Sequence, residues 1–125
     1  MKRAAGLIVL QDNKILMVER AKFGSKIAIP GGKLEPNEFA IEAALRETFE
    51  ETGIVCYVPH EDNCFFSHDV DGFGFSSWVA KPIAGSLISS EEGKAFWLEL
   101  SIFKKVPNIL HFPKWSAEAI RYFKL

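Results

Sequence analysis

The sequence predicts an α/β or α+β sandwich, on three observations. Short apolar runs of strand length recur along the 125 residues, separated by turn-forming residues. One stretch in the first half, ending at Gly53, carries helical rather than alternating periodicity. A second helical pattern lies near the end, over Pro113 to Phe123. Strands grouped around a central and a late helix bury the apolar stripe of each helix on a sheet, which is a layered arrangement.

Taken in order, Ala4 to Leu10 and Lys14 to Glu19 are apolar runs joined by Gln11, Asp12 and Asn13, a hairpin signal. Ile27 to Ile29 is a short strand running into Pro30-Gly31-Gly32, and a helix follows. Ile54 to Val58, Asn63 to Ser67 and Phe73 to Ala80 are further strands, the last two separated by a turn marked by Asp69, Asp71 and Gly72. Lys94 to Leu98 is one more short strand, and Ser101 to Lys105 reads as helical. No linker or repeat interrupts the pattern, so residues 1–125 are expected to form one domain.

The first helix carries the chemistry. At about 100° per residue, Glu47, Glu50 and Glu51 fall within roughly 100° of one another. Carboxylates gathered on one face repel each other unless a cation sits among them. Their oxygens are hard ligands suited to Mg²⁺ or Mn²⁺. Such sites commonly act on phosphates, which the same metal neutralises and polarises. Ile41, Ala44, Leu45, Thr48 and Thr52 occupy the other side at three- and four-residue spacing and are expected to face the core. Gly53 is the expected stop, because glycine readily adopts the left-handed conformation that ends helices. Asn37 is the candidate N-cap. Arg46, beside Glu47, is expected to fix a carboxylate or a loop carbonyl. A solvated acidic helix is the plainer reading, but it leaves Pro30-Gly31-Gly32 and the placing of Glu38, Arg46 and Gly53 unexplained.

From Gly32, five residues lead to Glu38 and seven more to Arg46-Glu47, followed by Thr48, Glu50-Glu51 and Gly53-Ile54. This segment resembles the Nudix box. All its specified polar and glycine positions match. The departure is Thr48, where the family usually has a branched aliphatic residue, a change expected to cost packing rather than chemistry. The resemblance implies an α/β/α sandwich around a mixed β-sheet. It also implies attack of water on a phosphorus of a nucleoside diphosphate linked to another group. Glu50 and Glu51 are then metal ligands, Glu47 a ligand or the base that orients water, and the Gly32 carbonyl a further ligand. Arg46 would hold Glu47, while Gly31, Glu38 and Gly53 shape the loop and the helix ends.

Matched to the smaller MutT-type members, Glu92, in preference to Glu91, corresponds to an additional carboxylate that binds metal or acts as base. Arg20 corresponds to an arginine directed at substrate phosphates, and Lys33, after the double glycine, is a second candidate for that role. Phe112 and Trp115 lie where relatives contact the base, with core packing the competing fate. Ser116 stands where a subfamily reading oxidised purines has asparagine, and serine offers fewer simultaneous hydrogen bonds than an amide.

Composition narrows the field. With 15 basic and 16 acidic residues and a net charge of −1, non-specific nucleic-acid binding, which needs a basic excess, is disfavoured. A hydrophobic content of 48% suffices for one ordinary core. Cys56 and Cys64 lack metal-binding spacing and read as two thiols rather than a disulfide. His60, His68 and His111 show no metal-ligand spacing either. Met1-Lys2-Arg3 before Ala4 to Leu10 mimics a secretory leader, but Gln11 to Lys14 offers no cleavage site. No segment approaches the roughly 18 apolar residues of a membrane span. The expectation is a cytoplasmic enzyme, monomeric or homodimeric, with a nucleotide substrate and neither nucleic acid nor membrane as partner.

The reaction expected first is Mg²⁺-dependent hydrolysis of a nucleoside triphosphate to the monophosphate and pyrophosphate, with Mn²⁺ as a substitute. A short chain favours a small second group. Nucleotide-sugar or dinucleoside polyphosphate hydrolysis is the alternative reaction. A sensing module without turnover conflicts with the intact set of Glu47, Glu50 and Glu51. Stacking tolerates every base, so selectivity is expected to be modest. A strict preference would point to the Ser67 to Asp71 turn.

Overall fold

A computed structural model describes residues 2–20, 26–68, 72–90, 93–105 and 114–125. The chain opens with β1 (Lys2–Gln11) and β2 (Lys14–Arg20), whose turn places Asp12 and Asn13 at φ of 51° and 62°. Tight hairpins need that left-handed pair, and Asp and Asn tolerate it. There follow β3 (Lys26–Ala28), β4 (Gly31–Lys33), α1 (Ala40–Thr52), β5 (Ile54–Tyr57), β6 (Phe65–His68), β7 (Phe73–Gly85), β8 (Ser89–Ser90), β9 (Gly93–Glu99), α2 (Leu100–Lys105) and α3 (Lys114–Tyr122).

The strands join in the order β5-β7-β1-β2-β9-β8, with β3 on β2, β4 on β1 and β6 on β7. β1 and β7 run parallel from Lys2↔Phe73 to Val9↔Ala80, while β4, β5 and β6 pair antiparallel, so the sheet is mixed. Alternation along the strands gives it two apolar faces. Ala5, Leu7, Val9, Trp78 and Ala80 pack with Ala43 and Ala44 of α1. Ala4, Ile8 and Phe75 pack with Ala119 and Ile120 of α3. The result is the expected α/β fold, a mixed sheet between helices.

The core side of α1 follows the helical period. Ala44, Thr48 and Thr52 are fully buried, and Ile41 and Leu45 pack partly buried beside them. The Thr48 hydroxyl donates to the Ala44 carbonyl at 2.7 Å. The residue that departs from the usual box pattern is therefore satisfied within its own helix.

Four expectations need correction. Asn37 is not the cap; it takes φ of 65° in the turn ahead of α1, and the cap position is Phe39. Phenylalanine has no acceptor, and instead its N–H donates to the Glu42 carboxylate at 3.1 Å. Gly31 and Gly32, left outside the strand expected over Ile27 to Ile29, pair with Gly6 and Ala5 as part of β4, a pairing that low glycine strand propensity conceals. β7 runs past Ala80 to Gly85 because Lys81 to Gly85 pair with β5. Pro82, which lacks an N–H, sits opposite Cys56 where that register shifts. Finally, β6 starts at Phe65 rather than Asn63.

Cys56 and Cys64 are free, half-buried thiols, and burial pushes Cys56 up to about 11. Among the described residues, no helix is long and apolar enough to cross a membrane.

Candidate active site

β4 brings the glycine pair against α1. A Cβ on Gly32 would stand 2.5 Å from Glu47 Cδ and 2.7 and 2.8 Å from its two carboxylate oxygens. Glycine leaves that space open, so the Glu47 carboxylate lies directly on the β4 backbone. One residue earlier, Gly31 N–H donates to Glu51 Oε1 at 2.7 Å. Two carboxylates of the helix are thus seated on adjacent glycines.

Arg46 holds the arrangement together. Its Nε and Nη2 donate to the two oxygens of Glu38 at 2.8 and 3.0 Å, and Nη2 also reaches the Lys33 carbonyl at 3.1 Å. Nη1 donates to Glu47 Oε1 at 2.9 Å and to Glu50 Oε2 at 3.2 Å. Glu35 adds an ion pair at 3.7 Å. A planar guanidinium fork suits this paired geometry in a way that a lysine does not. Arg46 therefore fixes the carboxylates of Glu38, Glu47 and Glu50 together with the carbonyl of Lys33 at the end of β4.

Glu38 also accepts the Glu35 N–H at 2.9 Å. The Arg46 hydrogen bonds, followed by that backbone donor, hold the Glu38 carboxyl down at about 2 against the usual 4.5. The same bond to Glu38 raises Arg46 above its ordinary range. An anion so firmly held acts as a latch between the loop and the helix. At the other end of α1, Gly53 takes φ of 79° and its N–H closes on the Phe49 carbonyl at 2.8 Å. A side chain there would also collide with the Ser86 carbonyl.

The donor chemistry fits a divalent cation. Glu35, Glu38, Glu47 and Glu50 gather around one guanidinium, leaving an excess of negative charge on hard oxygens. As the side chains stand, no three His, Cys, Asp or Glu among the described residues close into a metal cage. Glu50, with 54% of its side chain exposed, has freedom to turn.

The other candidates are placed as follows. Lys33 has its carbonyl on Arg46 but its side chain on the opposite face of the sheet, with Nζ 5.5 Å from the centre of the Phe73 ring. Ser116 is fully buried, and its hydroxyl accepts the Ile29 N–H at 3.3 Å. That bond ties α3 to the segment between β3 and the glycine pair. Arg20 pairs with Lys26 through its backbone in β2, and its side chain lies outside the described residues, as does that of Trp115 in α3. Glu91, Glu92, His111 and Phe112 lie outside them altogether. The roles of Glu35 and Glu42 were not anticipated. Glu42, three residues after the cap position, is a signal that could have been read.

The NUDIX domain model matches residues 1–119. This chain belongs to the Nudix family, hydrolases that act on phosphoanhydride bonds of nucleotide-linked substrates. It is similar to the uncharacterized Nudix hydrolase YvcI of Bacillus subtilis, at 30% identity over 86% of this chain and 72% of the relative. It is also similar to the ADP-ribose pyrophosphatase of Methanocaldococcus jannaschii, at 34% identity over 70% of this chain and 54% of the relative. The chain therefore spans about half the length of that second protein. Among solved structures, a NUDIX hydrolase from Nitrosomonas europaea superposes with a TM-score of 0.79 over 98% of this chain and 87% of the other. At 21% identity that likeness concerns the fold.

Proposed function

We propose that this protein hydrolyses a nucleoside triphosphate to the monophosphate and pyrophosphate, with Mg²⁺ as the working ion and Mn²⁺ as a substitute. The observation that carries the reading is the seating of Glu47 on Gly32 and of Glu51 on Gly31 N–H, both placed by the loop that Arg46 and Glu38 hold. Glu47, Glu50 and Glu51, with the Gly32 carbonyl and Glu92, are the groups that would hold metal. A bound divalent ion would neutralise the phosphates and lower the pKa of water.

The protein's own part is positional. Arg46 orients Glu47 through one N–H and the Lys33 carbonyl through another, so loop and helix move as one body. Glu47 or Glu92 takes the proton from the attacking water. Arg20 meets the phosphates. Trp115 offers its ring to the base. Preorganised charge of this kind stabilises the transition state because it costs no reorganisation during reaction.

A second reading is hydrolysis of a nucleotide-sugar such as ADP-ribose, favoured by the Methanocaldococcus relative. One substrate panel with Mg²⁺ separates them. Triphosphates releasing pyrophosphate support the first reading. ADP-ribose giving AMP and ribose 5-phosphate, with triphosphates untouched, replaces it.

A further inference from the structure

Most buried hydroxyls of this protein are spoken for. Thr48 and Thr52 donate to carbonyls one helical turn back, Ser77 donates to the Phe65 carbonyl, and Ser116 accepts the Ile29 N–H. Ser67 is different. It is 6% exposed, and its Oγ is the buried side-chain polar atom without a partner among the described residues. A hydroxyl stripped of water and given nothing in return is costly, and in a native site it calls for an explanation such as an absent ligand.

The sheet register shows what surrounds it. Ser67 lies opposite Phe75, Phe75 beside Ala4, and Ala4 opposite Lys33, one row across four strands. One step outward, Phe73 lies beside Lys2. Paired residues, and residues two apart, share a face. Ser67, Phe73, Phe75, Lys2 and Lys33 therefore sit on the face that α3 partly covers, with Ala4 and Phe75 in its core. Lys2 and Lys33 each bring Nζ to 5.5 Å from the centre of the Phe73 ring. Among the described residues, neither lysine has a carboxylate at ion-pair distance. An aromatic ring flanked by two ammonium groups with no carboxylate partner among the described residues suits a flat, anionic ligand. With strands about 4.8 Å apart, the row from Lys33 to Ser67 spans roughly 14 Å, a reach for a nucleotide rather than for a lone phosphate. Lys33 directly follows Gly32, so this face lies one residue along β4 from the seat of Glu47, on the other side of the sheet.

From this juxtaposition we propose that Ser67 is a specificity-determining residue. Its hydroxyl pairs with a polar group of the substrate's base, the base lies along Phe73, and Lys2 and Lys33 supply the flanking positive charge. This rests on the reading of the protein as a nucleotide hydrolase. A base that offers no partner leaves Ser67 unpaired, and that penalty is what separates one base from another.

The test is calorimetric titration of the full chain with AMP, GMP, CMP and UMP, without metal, and with inorganic pyrophosphate in parallel. The parent should rank the four monophosphates. Ser67→Ala should weaken the preferred one by about tenfold, the worth of one hydrogen bond, and should flatten the ranking. Pyrophosphate affinity should stay within twofold, and Ser67→Thr, which keeps the hydroxyl, should keep the order. In turnover, Ser67→Ala should raise KM for the preferred base and leave kcat in place. Four affinities within twofold of the parent in Ser67→Ala would overturn the proposal, as would no monophosphate binding at millimolar concentration. If triphosphates are not turned over but monophosphate ranking depends on Ser67, the proposed reaction falls and this subsite stands.

Discussion

Gly32→Ala isolates the contact on which the catalytic arrangement turns. The added methyl would stand 2.5 Å from Glu47 Cδ, whereas real Cβ contacts essentially never fall below 3.0 Å. The carboxyl must therefore retreat by about half an ångström or more, by the same spacing rule. It is the far end of a flexible side chain, so it can move at little cost, and Gly32 is not among the positive-φ residues where alanine would add backbone strain. Stability should barely change, with a melting temperature within about 3 °C of the parent, as for a substitution worth a few tenths of a kcal/mol. Activity should suffer far more, because a displacement approaching 1 Å costs on the order of a hundredfold; about tenfold to a hundredfold in kcat is expected. The assay is steady-state turnover of the best triphosphate with Mg²⁺, beside a thermal melt. In a Glu47→Gln background the same change should cost little more, since residues acting through one contact are not additive. A Gly32→Ala enzyme within twofold of the parent would refute the reasoning, as would equal losses in both backgrounds.

Four further outcomes are expected. Chelation should abolish turnover and Mg²⁺ or Mn²⁺ restore it, and Glu50→Gln or Glu51→Gln should each lower kcat by on the order of a hundredfold; activity surviving thorough chelation would dismiss the metal site. Arg46→Lys should lower both stability and kcat, because an ammonium cannot serve Glu38, Glu47 and the Lys33 carbonyl together. The Glu38 carboxyl is held at about 2 rather than 4.5. Its contribution to stability is therefore present above pH 4.5 and lost as pH falls toward 2. The stability gap between parent and Glu38→Gln, measured by denaturant titration, should stay flat above pH 5 and shrink below it. Glu92→Gln should reduce kcat more than Glu91→Gln with KM nearly unchanged, a transition-state signature; equal mild effects would make the loop acidic surface only.

Local pattern carried the helix and its cargo. The three-to-four spacing of Ala44, Thr48 and Thr52 against Glu47, Glu50 and Glu51 needs no partner to be legible, because a helix repeats its faces every few residues. Gly53 announced the helix end in the same way, since the left-handed stop is a property of one residue. The box spacing likewise named the family and the mixed α/β fold before any contact was known. What spacing cannot state is which atoms meet across the sequence. Glu51 on Gly31 N–H joins positions 20 residues apart, and Glu47 on Gly32 exists because β4 pairs with β1 beside α1. Ser116 aligns with a base-reading position of a subfamily, and nothing in that alignment states that docking of α3 brings its hydroxyl to the Ile29 N–H, 87 residues away. Ser67 lost its water and came to share a sheet face with Phe73, Lys2 and Lys33 through strand register, where a slip of one residue would have turned it to the other face. Periodicity assigns each residue a side, whereas pairing of distant strands decides what that side touches, and in this protein that pairing set the seats of the carboxylates and left the Ser67 hydroxyl without a partner among the described residues.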